Sequence, residues 1–206
     1  MRSTRQVLSA LRGRGLQLVG ATTVVLTVGH YTAYTYVSPI LLSAGVSQDA
    51  LSIVLLAYGI AGVGGLVLAC ALADRFPVGL LRATVLVTAA ALGVVALVAQ
   101  SATGVIVSVV VWGVAFSAVP TLLNAAALRA STVPDAAPAV VNAMFNVGIA
   151  AGAWLGGHAL LTGGTTTVAL VAALLVGLSL PLTLSGRRER AARPPAPGPV
   201  GAVSDS

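Results

Sequence analysis

Six apolar runs, at residues 16–42, 50–73, 80–99, 104–128, 139–161 and 165–184, dominate this chain. An α-helix needs roughly 20 such residues to cross a hydrocarbon core about 30 Å thick. Inside that core every backbone N–H and C=O must find its partner within the protein, which leaves helices and closed barrels. Barrel strands alternate apolar and polar residues over about 10 positions, and these runs are longer and unbroken. The sequence therefore predicts an all-α integral membrane protein with six transmembrane helices. Turn chemistry fills the connections: Ser43–Ala44–Gly45, Asp74–Arg75–Phe76–Pro77, Gln100–Ser101, Pro134–Asp135 and Gly163–Gly164.

The charges orient the bundle. Arg2, Arg5, Arg12 and Arg14 precede the first run, Arg75 and Arg82 flank the second connection, and Arg129 precedes the fifth run. Arg187, Arg188, Arg190 and Arg193 follow the sixth run. These are all 11 basic residues, and the opposite connections hold none. The positive-inside rule then places both termini in the cytoplasm, as expected of a multi-pass protein of the inner (plasma) membrane. In a soluble protein a formal charge of +6 would point to nucleic acid, but here topology accounts for the Arg and no nucleic-acid partner is expected. Only 8% of the residues are charged, against about 25% in soluble domains, so the principal partner is the lipid bilayer. The organisation is a basic cytoplasmic segment at 1–15, a bundle at 16–184, and a disordered cytoplasmic tail at 185–206 that ends through Pro194, Pro195, Pro197 and Pro199. The first run exceeds the roughly 7–15 residues of a cleavable signal core, so it is expected to stay in the membrane.

The runs differ in kind. The first concentrates polar and aromatic groups, among them His30, Tyr31, Tyr34, Tyr36 and Ser38, followed by Pro39. The fourth does likewise with Trp112, Ser117, Pro120 and Asn124. The second and fifth are rich in small residues, and the third and sixth are almost uniformly aliphatic, as lipid-facing helices are. That order of polar, small and apolar, given twice, fits a three-plus-three repeat of the kind secondary transporters carry. Ala57, Ala61, Gly65, Ala69 and Ala73 recur every four residues, as do Gly148, Gly152 and Gly156; small residues at that spacing let helix backbones approach closely. His30 is an ionisable group inside a span and so a functional candidate, with a neutral, hydrogen-bonded core histidine as the alternative. Asn142 and Asn146, one turn apart, must find partners and either join helices or meet solute. His158 reads as structural.

Enzyme signatures are missing. There is no GxSxG, HExxH or Walker A loop, the glycines at 59, 62, 64 and 65 lack a strand–turn–helix context, and Cys70 stands alone. All five acids, Asp49, Asp74, Asp135, Glu189 and Asp205, lie outside the six runs. The expectation is a non-enzyme with no cofactor and no metal.

The stretch Gly29–His30–Tyr31–Thr32–Ala33–Tyr34–Thr35–Tyr36–Val37–Ser38–Pro39 resembles the opening of the second half of major facilitator superfamily exporters. So do Ala57–Tyr58–Gly59–Ile60–Ala61–Gly62 leading to Leu72–Ala73–Asp74–Arg75, then Trp112–Gly113–Val114–Ala115–Phe116, and Asn142 through Ala150. The resemblance is strongest to the drug–proton antiporter and sugar-efflux group and covers residues 16–184. It implies a fold equivalent to the C-terminal six-helix half of a twelve-helix transporter. It also implies efflux of a small amphipathic solute by alternating access against a second half. By the same mapping His30, Tyr34, Trp112 and Asn124 line the solute path, and Asn142 and Asn146 form the wall facing the other half. Asp74, Arg75 and Arg82 match the family's cytoplasmic gate, although Cys70 stands where the family has Gly, and Pro77 and Val78 where it has small and basic residues. Three readings stay open: a fragment of a longer protein, a half-transporter that forms a homodimer, and a membrane interaction module that does not transport.

Overall fold

A computed structural model describes residues 13–131 and 136–191, with side chains as far as residue 183. The expectations for residues 1–12, for Pro134–Asp135 and for 192–206 fall outside the described residues. All regular structure among the described residues is helical: α1 Arg14–Tyr34, α2 Val37–Ser43, α3 Gln48–Ala73, α4 Pro77–Leu97, α5 Ala102–Ser117, α6 Val119–Ala130 and α7 Ala137–Ala191.

Among the described residues, four stretches are long and apolar enough to cross a membrane: Gln48–Ala73, Pro77–Leu97, Ala102–Ala130 and Ala137–Thr183. The last covers 47 residues, more than twice what one crossing takes. Gly164, at φ 72° and ψ −171°, breaks it into two helical segments. The first apolar run is not among the four. Its helix buries Thr22, Thr23, Thr27, His30 and Thr32, which dilute its hydropathy, and it is divided between α1 and α2.

Proline explains that division. The ring of Pro39 has no N–H to offer the carbonyl of Thr35 and would clash with it in a continuous helix. The chain instead leaves the helix after Tyr34 and restarts at Val37, which puts Pro39 in a first turn where its missing donor is harmless. Pro120 interrupts the next polar run in the same way, between α5 and α6. Other ends are capped locally: Ser47 Oγ accepts from Ala50 N at the start of α3, and Ser101 Oγ from Gly104 N at the start of α5. Gly45, at φ 92°, makes the turn out of α2.

α1 packs along α7 on both sides of the Gly164 break, α3 lies on α5, and α4 lies on α5 and α7. Small residues set these distances. A Cβ on Gly148 would lie 2.6 Å from Thr27 Cβ, and one on Gly152 would lie 2.6 Å from the Val28 carbonyl oxygen. Gly156 meets the Thr32 carbonyl and the Tyr36 ring. On α3, Gly65 meets the Val114 carbonyl of α5, while Gly113 of α5 seats Tyr58. The opposite face of α3 exposes Ile53, Leu56, Ile60, Val63 and Val67, so the spacing of four marks its buried side. Without a hydrophobic force between helices in lipid, such close backbone contact is what holds the bundle. The polar side chains of α1 are largely satisfied inside it: Thr22, Thr23 and Thr32 donate to carbonyls four residues earlier, at 2.7–2.8 Å.

Candidate functional site

The end of α1 puts His30, Tyr31 and Tyr34 within one turn, and the spacing of four on α5 puts Trp112 and Phe116 on one face. These faces meet. The His30 ring lies flat on Phe116, with centroids 3.3 Å apart and planes 5° apart, and Tyr34 stacks nearby at 5.2 Å and 18°. Trp112 Nε1–H donates to His30 Nδ1 at 3.0 Å. An imidazole nitrogen that accepts carries no proton, so this bond assigns the His30 proton to Nε2. Tyr58 of α3 completes the cluster, 5.7 Å from both Tyr34 and Trp112.

A cavity of about 540 Å³ opens against this cluster, within the range of about 300–1,000 Å³ usual for small-molecule sites. Its wall includes Tyr31, Tyr34 and Thr35 of the first run, Ser38 of α2, Tyr58 of α3 and Ala153 of α7. The wall therefore contains the break between α1 and α2, where Thr35 N and Tyr36 N donate to the Tyr31 and Ala33 carbonyls of the last turn of α1. Tyr36, in that break, donates from its hydroxyl to the Ala153 carbonyl at 2.9 Å, and its ring fills the notch left by Gly156 and Gly157. Ser43 Oγ and Thr165 Oγ1, 2.9 Å apart, tie the far end of α2 to the segment after Gly164.

The structure thus brings His30, Tyr34 and Trp112 together. Tyr34 faces the cavity, while His30 and Trp112, 3% and 1% exposed, form the layer behind it. Asn124 is separate from this cluster, on α6, with Nδ2 donating to the Pro120 carbonyl at 3.0 Å. Asn142 and Asn146 lie on an exposed face of α7, and Asn146 Nδ2 donates to the Asn142 carbonyl. Asp74 caps the end of α3, the Arg75 guanidinium lies over the Phe76 ring, and Arg82 donates to the Thr183 carbonyl at 3.3 Å.

No family model matches the chain. A probable sugar efflux transporter of Mannheimia succiniciproducens is 30% identical over 160 residues, which is 77% of this chain and 40% of that protein. A chloramphenicol efflux pump of Mycobacterium tuberculosis is 35% identical over 158 residues, 71% of this chain and 38% of that protein. The inner membrane transport protein YdhP of Escherichia coli is 33% identical over 190 residues, 90% and 46% respectively. The chain belongs to the major facilitator superfamily. It spans less than half the length of each of these relatives, and it is a multi-pass membrane protein.

Sequence reasoning placed Tyr58 and Phe116 in the stretches that resemble major facilitator exporters but not in the site. Tyr58 carried a usable signal, as the one aromatic residue of a span otherwise built from aliphatic and small residues. Phe116 and Tyr31 were readable by spacing, four residues from Trp112 and one from His30. The lining by Ser38 and Ala153 depends on the break and on the Gly notch, which no local pattern gives.

The Trp112–His30 bond carries a stability prediction. Trp112→Phe keeps an aromatic ring but leaves Nδ1 buried without a donor, which costs about 1–3 kcal/mol. Melting in detergent should show that loss, and His30→Phe added to Trp112→Phe should recover part of it. Additive losses in this double-mutant cycle would show that the bond does not contribute.

Proposed function

We propose that this chain is one six-helix half of an efflux transporter that moves a small amphipathic solute by alternating access. The observation that carries the reading is the cavity at the interruption of the first polar run. Non-helical backbone at membrane depth is tolerated where it lines a cavity, and interrupted helices recur at transporter solute sites. The aromatic wall offers stacking surface, and the hydroxyls of Tyr31, Tyr34, Tyr58 and Ser38 offer hydrogen bonds. An amphipathic molecule uses both. The efflux relatives support the direction of transport.

A second bundle belongs to the proposal. Residues 142, 146, 150, 154 and 158 fall every four positions on α7 and are all exposed. Two of them are amides, and an amide facing hydrocarbon lacks partners, so this face belongs against protein or a wet cavity. Asn142 and Asn146 then form the wall toward the other half, which is either an N-terminal half or a second copy. In the same reading the bundle crosses six times with both ends cytoplasmic, and Asp74, Arg75 and Arg82 sit at the cytoplasmic gate.

Efflux from vesicles holding the chain together with an upstream six-helix half tests the site. Tyr34→Ala and Tyr58→Ala should each raise the solute concentration for half-maximal efflux about threefold to tenfold, as the loss of one aromatic contact predicts. Unchanged efflux in both variants would exclude this cavity. Topology is tested separately in a Cys70→Ala background. Cysteines at Ser47 and Thr166 should label in intact cells, and one at Ala136 only after permeabilisation. Labelling at Ala136 in intact cells would reverse the orientation.

A further inference from the structure

The crevice between α3, α4 and α5 has no part in the solute path. It holds about 240 Å³, and its wall includes Leu68 and Ala69 of α3, Leu80, Ala83 and Val87 of α4, and Val111 of α5. Its polar side chain, Thr84, already donates to the Leu81 carbonyl at 2.8 Å, so the wall offers a polar ligand nothing. Leu68, Ala83, Val87 and Val111 are exposed, so the crevice opens sideways from the bundle, where an acyl chain is the neighbour. A void there would forfeit dispersion contacts on one side of every lining residue.

One end of the crevice has a charge. α3 ends at Ala73 and α4 starts at Pro77, so at 1.5 Å per residue the turn between them lies about 10 Å beyond Leu68. Because α3 and α4 are each long enough to cross, this turn lies at a membrane surface, whichever surface that is. Arg75 is exposed on it, with its guanidinium 5.5 Å above the exposed Phe76 ring, a cation and an aromatic at headgroup depth. Asp74 shares the turn and offsets the charge of Arg75, and Arg82 is turned away to the Thr183 carbonyl, so what the turn presents to a phosphate is the exposed Arg75 guanidinium itself. We propose that the crevice binds one acyl chain of an anionic phospholipid whose phosphate meets Arg75. The proposal is independent of the transport reading.

Photo-crosslinking of the full chain in vesicles tests it, with diazirine-acyl phosphatidylglycerol compared with diazirine-acyl phosphatidylcholine at equal mole fraction. Phosphatidylglycerol should label the wall at Leu68, Val87 and Val111 about fivefold more than phosphatidylcholine, the preference one Arg gives near an anionic headgroup. Both should label Leu170, Leu174 and Leu178, exposed on α7, equally. Arg75→Gln should bring the wall ratio to parity and Arg75→Lys should keep it. Ala83→Phe should fill the crevice and remove wall labelling by both lipids while the α7 face stays labelled. Equal wall labelling in the unaltered chain would mean ordinary boundary lipid and overturn the proposal. So would an unlabelled wall, or a ratio indifferent to Arg75→Gln.

Discussion

Gly152→Leu is expected to remove the folded monomer from detergent extracts, while Gly177→Leu leaves its melting temperature within a few degrees of the parent. The two glycines share chemistry and helix type, and differ in what surrounds them. A Cβ on Gly152 would lie 2.6 Å from the Val28 carbonyl oxygen and 2.9 Å from Tyr31 Cβ, with backbone of α1 in its way. One on Gly177 meets nothing within 4 Å. Backbone cannot swing aside as a side chain does, so α1 and α7 must separate along their whole contact. Overpacking a core costs about 1–3 kcal/mol when side chains can adjust, and here they cannot. Alanine gives a finer test. Glycine to alanine in a helix interior gains about 1 kcal/mol of propensity at either site, so Gly177→Ala should be neutral or stabilising and Gly152→Ala clearly destabilising. The measurement is thermal unfolding followed by size-exclusion chromatography. Equal behaviour of the two sites would show that the stripe of glycines does not set the helix contact.

That stripe was legible because its information is local. A spacing of four puts Gly148, Gly152 and Gly156 on one line of any helix, and in lipid small residues have a packing use wherever they line up. Length and hydropathy likewise mark the four crossing-length stretches, and charge placement supplies an orientation. The first run was harder. Residues 16–42 read as one long helix because the composition is continuous, yet Pro39 acts on the carbonyl of Thr35 and ends the helix at Tyr34. A proline four residues past a carbonyl is visible in a sequence, but whether the chain kinks or breaks depends on the contacts that hold the break from elsewhere in the fold. Here the Tyr36 hydroxyl finds Ala153 across the bundle, a contact between residues 117 apart in sequence.

The candidate site shows the same boundary. His30, Tyr34 and Trp112 stood out as polar or aromatic groups in apolar runs, and the structure joins them. Which one faces the cavity was not readable. His30 and Trp112 satisfy each other through the Nε1–H to Nδ1 bond and so retreat into the wall, leaving Tyr34 and Tyr58 in front. Asn124, equally conspicuous, bonds to its own helix at Pro120. Pairing across elements decides exposure, and residue type alone does not.

Reconstituted alone, at a protein density too low for dimers, this chain is expected to give no efflux driven by a pH gradient. Coupling needs a group whose protonation changes the balance between inward-open and outward-open states, because a ligand shifts an equilibrium only by its differential affinity for the two. The six apolar runs hold no carboxylate. Histidine is the other side chain suited to proton traffic. Of the two present, His30 is bound at Nδ1 by Trp112 and covered by Phe116, while His158 lies on the exposed face of α7, stacked on Trp154 at 6.1 Å. Alternating access also needs two bodies that rock about a solute site between them. In the proposed reading this chain supplies one of them, with Asn142 and Asn146 turned toward the second. Vesicles carrying the chain with an upstream six-helix half should accumulate or expel a fluorescent amphipathic probe when a pH gradient is imposed, and vesicles carrying the chain alone should match protein-free controls. Robust gradient-driven transport by the isolated monomer, lost on His30→Ala, would overturn the half-transporter reading. It would also make the buried imidazole the coupling group, its bond to Trp112 breaking and re-forming with each cycle.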